Sequence, residues 1–294
     1  GRFDATNVIA RPAATVIMPI SLDHEAYLGD RVELIAAEKA GIIKAGSPVI
    51  IGAQEYDAAR DVLIDTAERL GCPAQVYGED FLAYEENGRL IYQDETGLLD
   101  VSLPRLSGRH QFANAAAAIA AARAAGFDIG HRAVDRAMAN VDWPGRMQRL
   151  PAGRLQDLAP EGAELWIDGG HNPGAGTAIA EALAEQEERF PRPLFLVSGM
   201  INTKDQTGYF RAFQGMARHV FTVPVSQSDA GVPAAELAVR AEEAGLSAEP
   251  VNSVENALML LRDTWDEEVA PRILICGSLY LIGEVLADNG TPPR

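Results

Sequence analysis

The second half of this chain alternates apolar runs with helical patterns five times, and that alternation admits few folds. Strands are expected near 164–168, 194–199, 218–223, 247–251 and 272–277. Helices are expected near 176–189, 205–215, 233–244, 253–268 and 279–288. Such an order implies a mostly parallel sheet covered by helices on both faces. The first half is more mixed. Strands are expected at Thr15–Ile20 and Pro48–Gly52, and helices at Glu33–Ile43 and Glu55–Leu70. Short β segments between Gln75 and Asp100 are separated by the turn signals Asn87-Gly88 and Thr96-Gly97. An alanine-rich helix, Arg109–Ala125, and a shorter one near Ala133–Asn140 follow. The segment Asp142–Pro151 (DWPGRMQRLP) breaks the pattern with two prolines and a glycine, so a domain boundary is expected there, giving domains 1–146 and 147–294.

Composition narrows the function classes. A length of 294 residues suits two domains, each with a core. Hydrophobic residues make up 47%, yet no apolar run approaches the roughly 20 residues of a membrane span. A soluble, cytoplasmic chain with no membrane partner is expected. The net charge of −17 argues against a nucleic-acid surface, but a small anionic ligand needs only a local basic pocket. Cys72 and Cys276 lie far apart and read as free thiols of a reducing compartment. The opening GRFDATN reads as a polar loop inside a domain, with more of that domain expected upstream.

The richest stretch for chemistry is Glu164–Gly176 (ELWIDGGHNPGAG). A short apolar strand delivers Asp168 into a glycine-rich turn carrying His171 and Asn172, and a helix pattern follows from Gly176. A carboxylate and an imidazole at a strand's C-terminal end, facing a helix N-terminus, sit where open α/β sheets bind ligands. A polar turn without chemistry is the competing reading. Asp168 is expected on the turn, outside the core, so its loss should weaken ligand use more than folding. Lys204 and Asp205 (in MINTKD) and Ser278 (in CGSLY) follow two other strands and are expected at the same edge.

Other candidates are scattered. Asp23-His24 follows a strand directly; the histidine suits a metal ligand, a base or a satisfied polar residue. Lys39 sits among Ile35, Ala36, Ala40, Ile42 and Ile43. A desolvated lysine is disfavoured in its charged form, and a neutral amine can react with CO2 to give an anionic, metal-seeking carbamate. A lysine snorkelling beside Glu38 is the alternative. Gly108–Asn114 (GRHQFAN) opens the alanine helix, either facing a ligand or capping. Arg146, in WPGR, can pair bidentately with phosphate or form a structural ion pair.

Taken in order, DATN, SLDHEAYLG, EKAGIIK, GRHQFANA, WPGR, DGGHNP, the KD pair and CGSLY resemble the folylpolyglutamate synthase and dihydrofolate synthase family of the Mur ligase superfamily. The resemblance implies the second half of a central ATPase domain followed by a Rossmann-like C-terminal domain. It also implies an ATP-dependent amide ligase that joins L-glutamate to dihydropteroate or a reduced folate through an acyl phosphate, at a site between two domains. It implies magnesium as cofactor and a monomeric enzyme. Residue by residue, His24 matches a magnesium-binding histidine and Lys39 the carbamylated lysine. Asn114, Arg146 and Asp168 match ATP contacts, with His171 beside them in the catalytic set. Arg2 and Asp4 match a loop near the pterin, and Lys204 and Ser278 match positions near glutamate and phosphate. Gly170 stands where the family commonly has alanine. The family's glycine-rich phosphate loop, of the type GTNGKGS, is not in this sequence and is expected upstream, so the 294 residues alone are expected to be inactive. A peptidoglycan-precursor Mur ligase and a non-catalytic nucleotide-binding remnant are the alternatives.

Overall fold

A computed structural model of the chain describes residues 1–21 and 31–292. These divide into two compact units, Gly1–Asp142 and Trp143–Arg294. Among the described residues no helix is long and apolar enough to cross a membrane.

The first unit begins with β1 (Thr15–Ile17), α1 (Val32–Ala40), β2 (Val49–Ile51), α2 (Asp57–Arg69) and β3 (Ala74–Val76). Among the described residues the strands form a parallel sheet in the order β1-β2-β3. β1 stops at Ile17, short of the expected Ile20, because Pro19 cannot donate to a ladder. Antiparallel strands β4 (Phe81–Glu86), β5 (Arg89–Asp94) and β6 (Gly97–Ser102) follow. The β4–β5 turn uses Asn87 and Gly88 at φ +51 and +73, the left-handed pair that a two-residue hairpin requires. Then come α3 (His110–Ala124) and α4 (His131–Asn140). The alanines of α3 let it lie close to both sheets, with Ala115–Ala117 packed among Ile50, Phe81, Leu90 and Val101. Val49 and Ile51 point the other way, into a core with Ile35, Ala36 and Leu63 of α1 and α2.

The second unit contains β7 (Gln148–Arg149), β8 (Glu164–Asp168), α5 (Pro173–Arg189), β9 (Leu194–Ser198), α6 (Gln206–Arg211), β10 (Ala217–Thr222), α7 (Ala234–Glu243), β11 (Ala248–Pro250), α8 (Val254–Thr264), β12 (Arg272–Cys276) and α9 (Leu279–Asp288). The sheet order is β11-β10-β9-β12-β8-β7, parallel except for β7. Alternate strand residues feed two cores. Ile273, Ile275 and Val197 meet α8 and α9 through Leu258 and Ile282. Leu274 and Leu196 meet α5, α6 and α7 through Leu183, Phe210 and Leu237. The expected doubly covered sheet is therefore present. Two details differ. α5 starts at Pro173 rather than Gly176, because Asn172 caps it and proline suits the first helical position. α8 ends at Thr264, before the acidic run Asp266–Glu268, which a helix C-terminus disfavours.

Candidate active site

Three strand ends define an edge in the second unit. Cys276 pairs in register with Asp168 on one side and Ser198 on the other. The loops leaving β8, β9 and β12 therefore rise side by side at the sheet's carboxyl edge, where open α/β sheets take ligands. Asp168, His171 and Ser278 lie at or just beyond these strand ends, Lys204 follows β9, and Arg146 approaches from the segment before β7.

Arg146 is held by its neighbours' backbone. Gly145 and Met147, on either side, both have left-handed φ values, +72 and +36. The Gly145 carbonyl accepts the Gly169 N–H at 2.9 Å and Arg146 Nη1 at 3.0 Å. The half-buried guanidinium lies over Gly169: a Cβ there would sit 3.1 Å from Nη1 and 2.2 Å from Leu279 Cδ2. The second glycine of the pair is tight as well. An alanine at Gly170 would place its Cβ 2.7 Å from Ile179 Cδ1 and 3.0 Å from both Ala175 Cβ and Asp168 Oδ1.

Asp168 departs from expectation. It is the last residue of β8 and only 5% exposed. Its Oδ2 accepts the Met147 N–H at 2.7 Å and its Oδ1 the Gly170 N–H at 2.6 Å. The expected place on the turn, outside the core, is corrected, and removing the carboxylate would strand two N–H groups and cost stability as well. His171 is half-buried, with Nδ1 3.2 Å from the Gly169 carbonyl. A carbonyl only accepts, so this contact puts the neutral ring's proton on Nδ1. Asn172 accepts the Ala175 N–H at 2.8 Å, capping α5. Asp205 caps α6 through the Gly208 N–H at 2.8 Å, beside the half-buried Lys204. Ser278 is buried, and its hydroxyl accepts the Tyr280 N–H at 3.2 Å, capping α9.

In the first unit the structure brings Arg2, Asp4 and Lys39 together. The Arg2 N–H donates to the Glu38 carbonyl at 2.9 Å. The Asn7 amide bridges the carbonyls of Arg2 and Gly41 at 3.0 and 3.1 Å. Gly41 lets the segment lie flat on the end of α1, since a Cβ there would sit 2.5 Å from Arg2 Cβ. Lys39 is half-buried in the last turn of α1. The Thr6 hydroxyl and N–H hold the exposed Asp4 carboxyl below its usual range, with weaker help from Lys39. Asn114 is half-buried in α3 and donates to Gln111 Oε1 at 3.0 Å. His24 lies outside the described residues.

Sequence reasoning missed Met147, whose contribution is a backbone N–H. It also missed the close approach of Gly145 to Gly169, for which the paired glycine turns WPGR and DGGH were the only signal. A cavity of about 770 Å³ opens at the opposite, amino-terminal end of the same sheet. Its cations are committed to the protein. Arg272 bonds Glu164, Glu187 and the Phe190 carbonyl, and Arg192 bonds the carbonyls of Gly162 and Ala270. Volume alone does not make that end the site.

A family profile described as "Mur ligase, glutamate ligase domain" matches residues 145–279. Dihydrofolate synthetase of Saccharomyces cerevisiae is 32% identical over 311 residues, covering 100% of this chain and 70% of that protein. Mycobacterium tuberculosis folylpolyglutamate synthase complexed with ADP superposes with a TM-score of 0.86 at 30% identity, covering 100% of this chain and 67% of that one. Escherichia coli FolC in complex with DHPP and ADP gives 0.80 at 26% identity, covering 98% and 63%. The chain thus spans about two thirds of the length of these relatives. It belongs to the dihydrofolate synthase/folylpolyglutamate synthase family of ATP-dependent ligases.

Proposed function

We propose that the protein carrying this chain joins L-glutamate to dihydropteroate or a reduced folate at the expense of ATP. The observation that supports this most is the carboxyl edge of the second unit. There Arg146, Asp168 and His171 are fixed by glycine turns, in a chain that aligns along its whole length with a dihydrofolate synthetase. The substrate carboxylate attacks the γ-phosphorus of ATP, giving an acyl phosphate and ADP. The amine of glutamate then attacks the acyl carbon, phosphate leaves, and an amide remains. Such chemistry needs positioning and charge neutralisation more than covalent help from the protein.

In this reading Arg146 neutralises phosphate charge, with Asn114 and Asp168 in the nucleotide site and His171 beside them. Arg2 and Asp4 contact the pterin, and Lys204 and Ser278 belong to the glutamate and phosphate end. The Ser278 hydroxyl, which accepts the Tyr280 N–H, keeps its own O–H to donate there. Magnesium prefers oxygen ligands and keeps several waters, so a carbamate oxygen suits it. Lys39, as its carbamate, and His24 would hold it, and when bound it would neutralise charge on the nucleotide phosphates.

The test is phosphate release with ATP, magnesium and L-glutamate, run in parallel with dihydropteroate, tetrahydrofolate and a UDP-muramoyl peptide. Release that needs a pterin supports the proposal, and release only with the muramoyl peptide refutes it. Lys39→Ala is expected to remove most turnover, with partial rescue by acetate; unchanged turnover would remove Lys39 from the mechanism.

A further inference from the structure

We propose that Gln54 is a positioning residue for the metal centre, its side chain replacing a missing strand bond and fixing the chain that leaves β1 toward His24. The inference rests on the reading of His24 as a magnesium ligand. Its physical basis is a gap in the ladder between β1 and β2. In a parallel pair the bonds alternate evenly from strand to strand. Here the Thr15 N–H meets the Pro48 carbonyl at 2.8 Å, and the Gly52 N–H meets the Ile17 carbonyl at 2.9 Å. The next bond in that alternation would run from the N–H of residue 19 to the Gly52 carbonyl. Residue 19 is proline and has no N–H. Gly52 is buried, so its carbonyl needs another donor.

The half-buried Gln54 supplies it. Its Nε2 donates to the Gly52 carbonyl at 2.9 Å and to the Met18 carbonyl at 3.3 Å, and its Oε1 accepts the Ile20 N–H at 3.0 Å. The bonds to Met18 and Ile20 are those that a strand residue facing Pro19 would make. One amide side chain thus carries the sheet a step past the proline. Two carbonyls only accept and one N–H only donates, so the amide has a single consistent orientation, and a carboxylate could not make the same set. Ile20 is 5% exposed and packs in the core with Ile35, Ile43 and Ile51. The chain is therefore pinned from β1 through Ile20, at the carboxyl edge of the first unit's parallel sheet. The run Ser21-Leu22-Asp23-His24 begins directly after.

Mn2+ binding, read by electron paramagnetic resonance with a non-hydrolysable ATP analogue present, tests this on the protein carrying the chain. Gln54→Glu keeps the size and the acceptor for Ile20 but offers no donor to either carbonyl. It is expected to weaken Mn2+ binding about tenfold, within the range for residues that orient metal ligands. His24→Ala is expected to weaken it at least as much. Asp94→Asn, in the Arg123 network of the same unit, is expected to lose stability and keep the wild-type Mn2+ affinity. Equal Mn2+ affinity in Gln54→Glu and wild type would overturn the inference. So would an equal loss in Asp94→Asn, which would mark a general cost of instability. Should Gln54→Glu fail to melt cooperatively, Gln54→Met, of similar length and without charge, takes its place. A second readout needs neither metal nor activity. Hydrogen exchange at the Ile20 amide is expected to be slow in the wild type and faster in Gln54→Met, and equal rates would overturn the inference. Unchanged Mn2+ binding in His24→Ala would instead refute the reading of His24 as a ligand, and the exchange rates would still decide whether Gln54 pins the chain after β1.

Discussion

The two ends of the second unit's sheet hold arginines in opposite ways. At the amino-terminal end Arg272 is 2% exposed and spends its guanidinium on Glu164, Glu187 and a carbonyl. At the carboxyl end Arg146 is half-exposed, and the protein invests in the backbone beneath it rather than in partners for its charge. The end that holds the cavity of about 770 Å³ is electrostatically closed, and the end with the glycine turns presents its cation. A binding site is better recognised by charge held in place and left for a ligand than by volume.

Paired substitutions would break or sharpen this contrast. Arg272→Ala is expected to cost about 1–3 kcal/mol by removing buried hydrogen bonds to Glu164, Glu187 and the Phe190 carbonyl while Glu164 keeps Arg149 and Arg192 beside it, with KM for ATP unchanged. Arg146→Ala is expected to cut turnover by about 10²–10³ while thermal denaturation barely moves. Equal melting losses in the two variants would erase the distinction. Gly169→Ala is intermediate. Its Cβ would press on Leu279 and Arg146 together, so about 1–3 kcal/mol of stability and a large part of turnover should fall together, read by melting and phosphate release.

The first unit has its own closed network, around Asp94. Burial tends to raise this carboxyl's pKa, but hydrogen bonds from Thr96, Arg123 and Tyr92 outweigh it and hold the pKa below the usual range. A carboxylate with a lowered folded pKa stabilises the fold above its unfolded pKa of about 3.9, and that contribution is lost as pH falls through the folded value. Asp94→Asn should therefore lower stability at neutral pH and flatten its acid dependence in urea titrations; an unchanged slope would mean the network is not linked to folding. The smallest effect is expected at Tyr209. Its hydroxyl is sealed from solvent without a hydrogen-bond partner of good geometry, and its polar neighbour is the Cys276 thiol, whose pKa burial pushes up to about 12. Tyr209→Phe should leave stability within about 1 kcal/mol of wild type or raise it. A larger loss would reveal a bond that the geometry does not.

Much of this was legible in the sequence because it is local. Strand and helix periodicity located the doubly covered sheet, Asn87-Gly88 marked a hairpin, and DGGH, MINTKD and CGSL marked loops of one edge. What was not legible depends on distance along the chain. The burial of Asp168 follows from a bond to Met147, 21 residues earlier, and β7 is two residues long, too short for any period. The capping role of Ser278 was hidden for another reason: a serine before a helix looks the same whether its hydroxyl meets a ligand or an N–H.

The most direct test of the central claim is an amide-shift map of the isotope-labelled protein with saturating magnesium and a non-hydrolysable ATP analogue. The account predicts shifts at Gly145–Met147 and Asp168–His171 and none around Arg192 and Arg272. Shifts confined to the Arg272 cavity would contradict it.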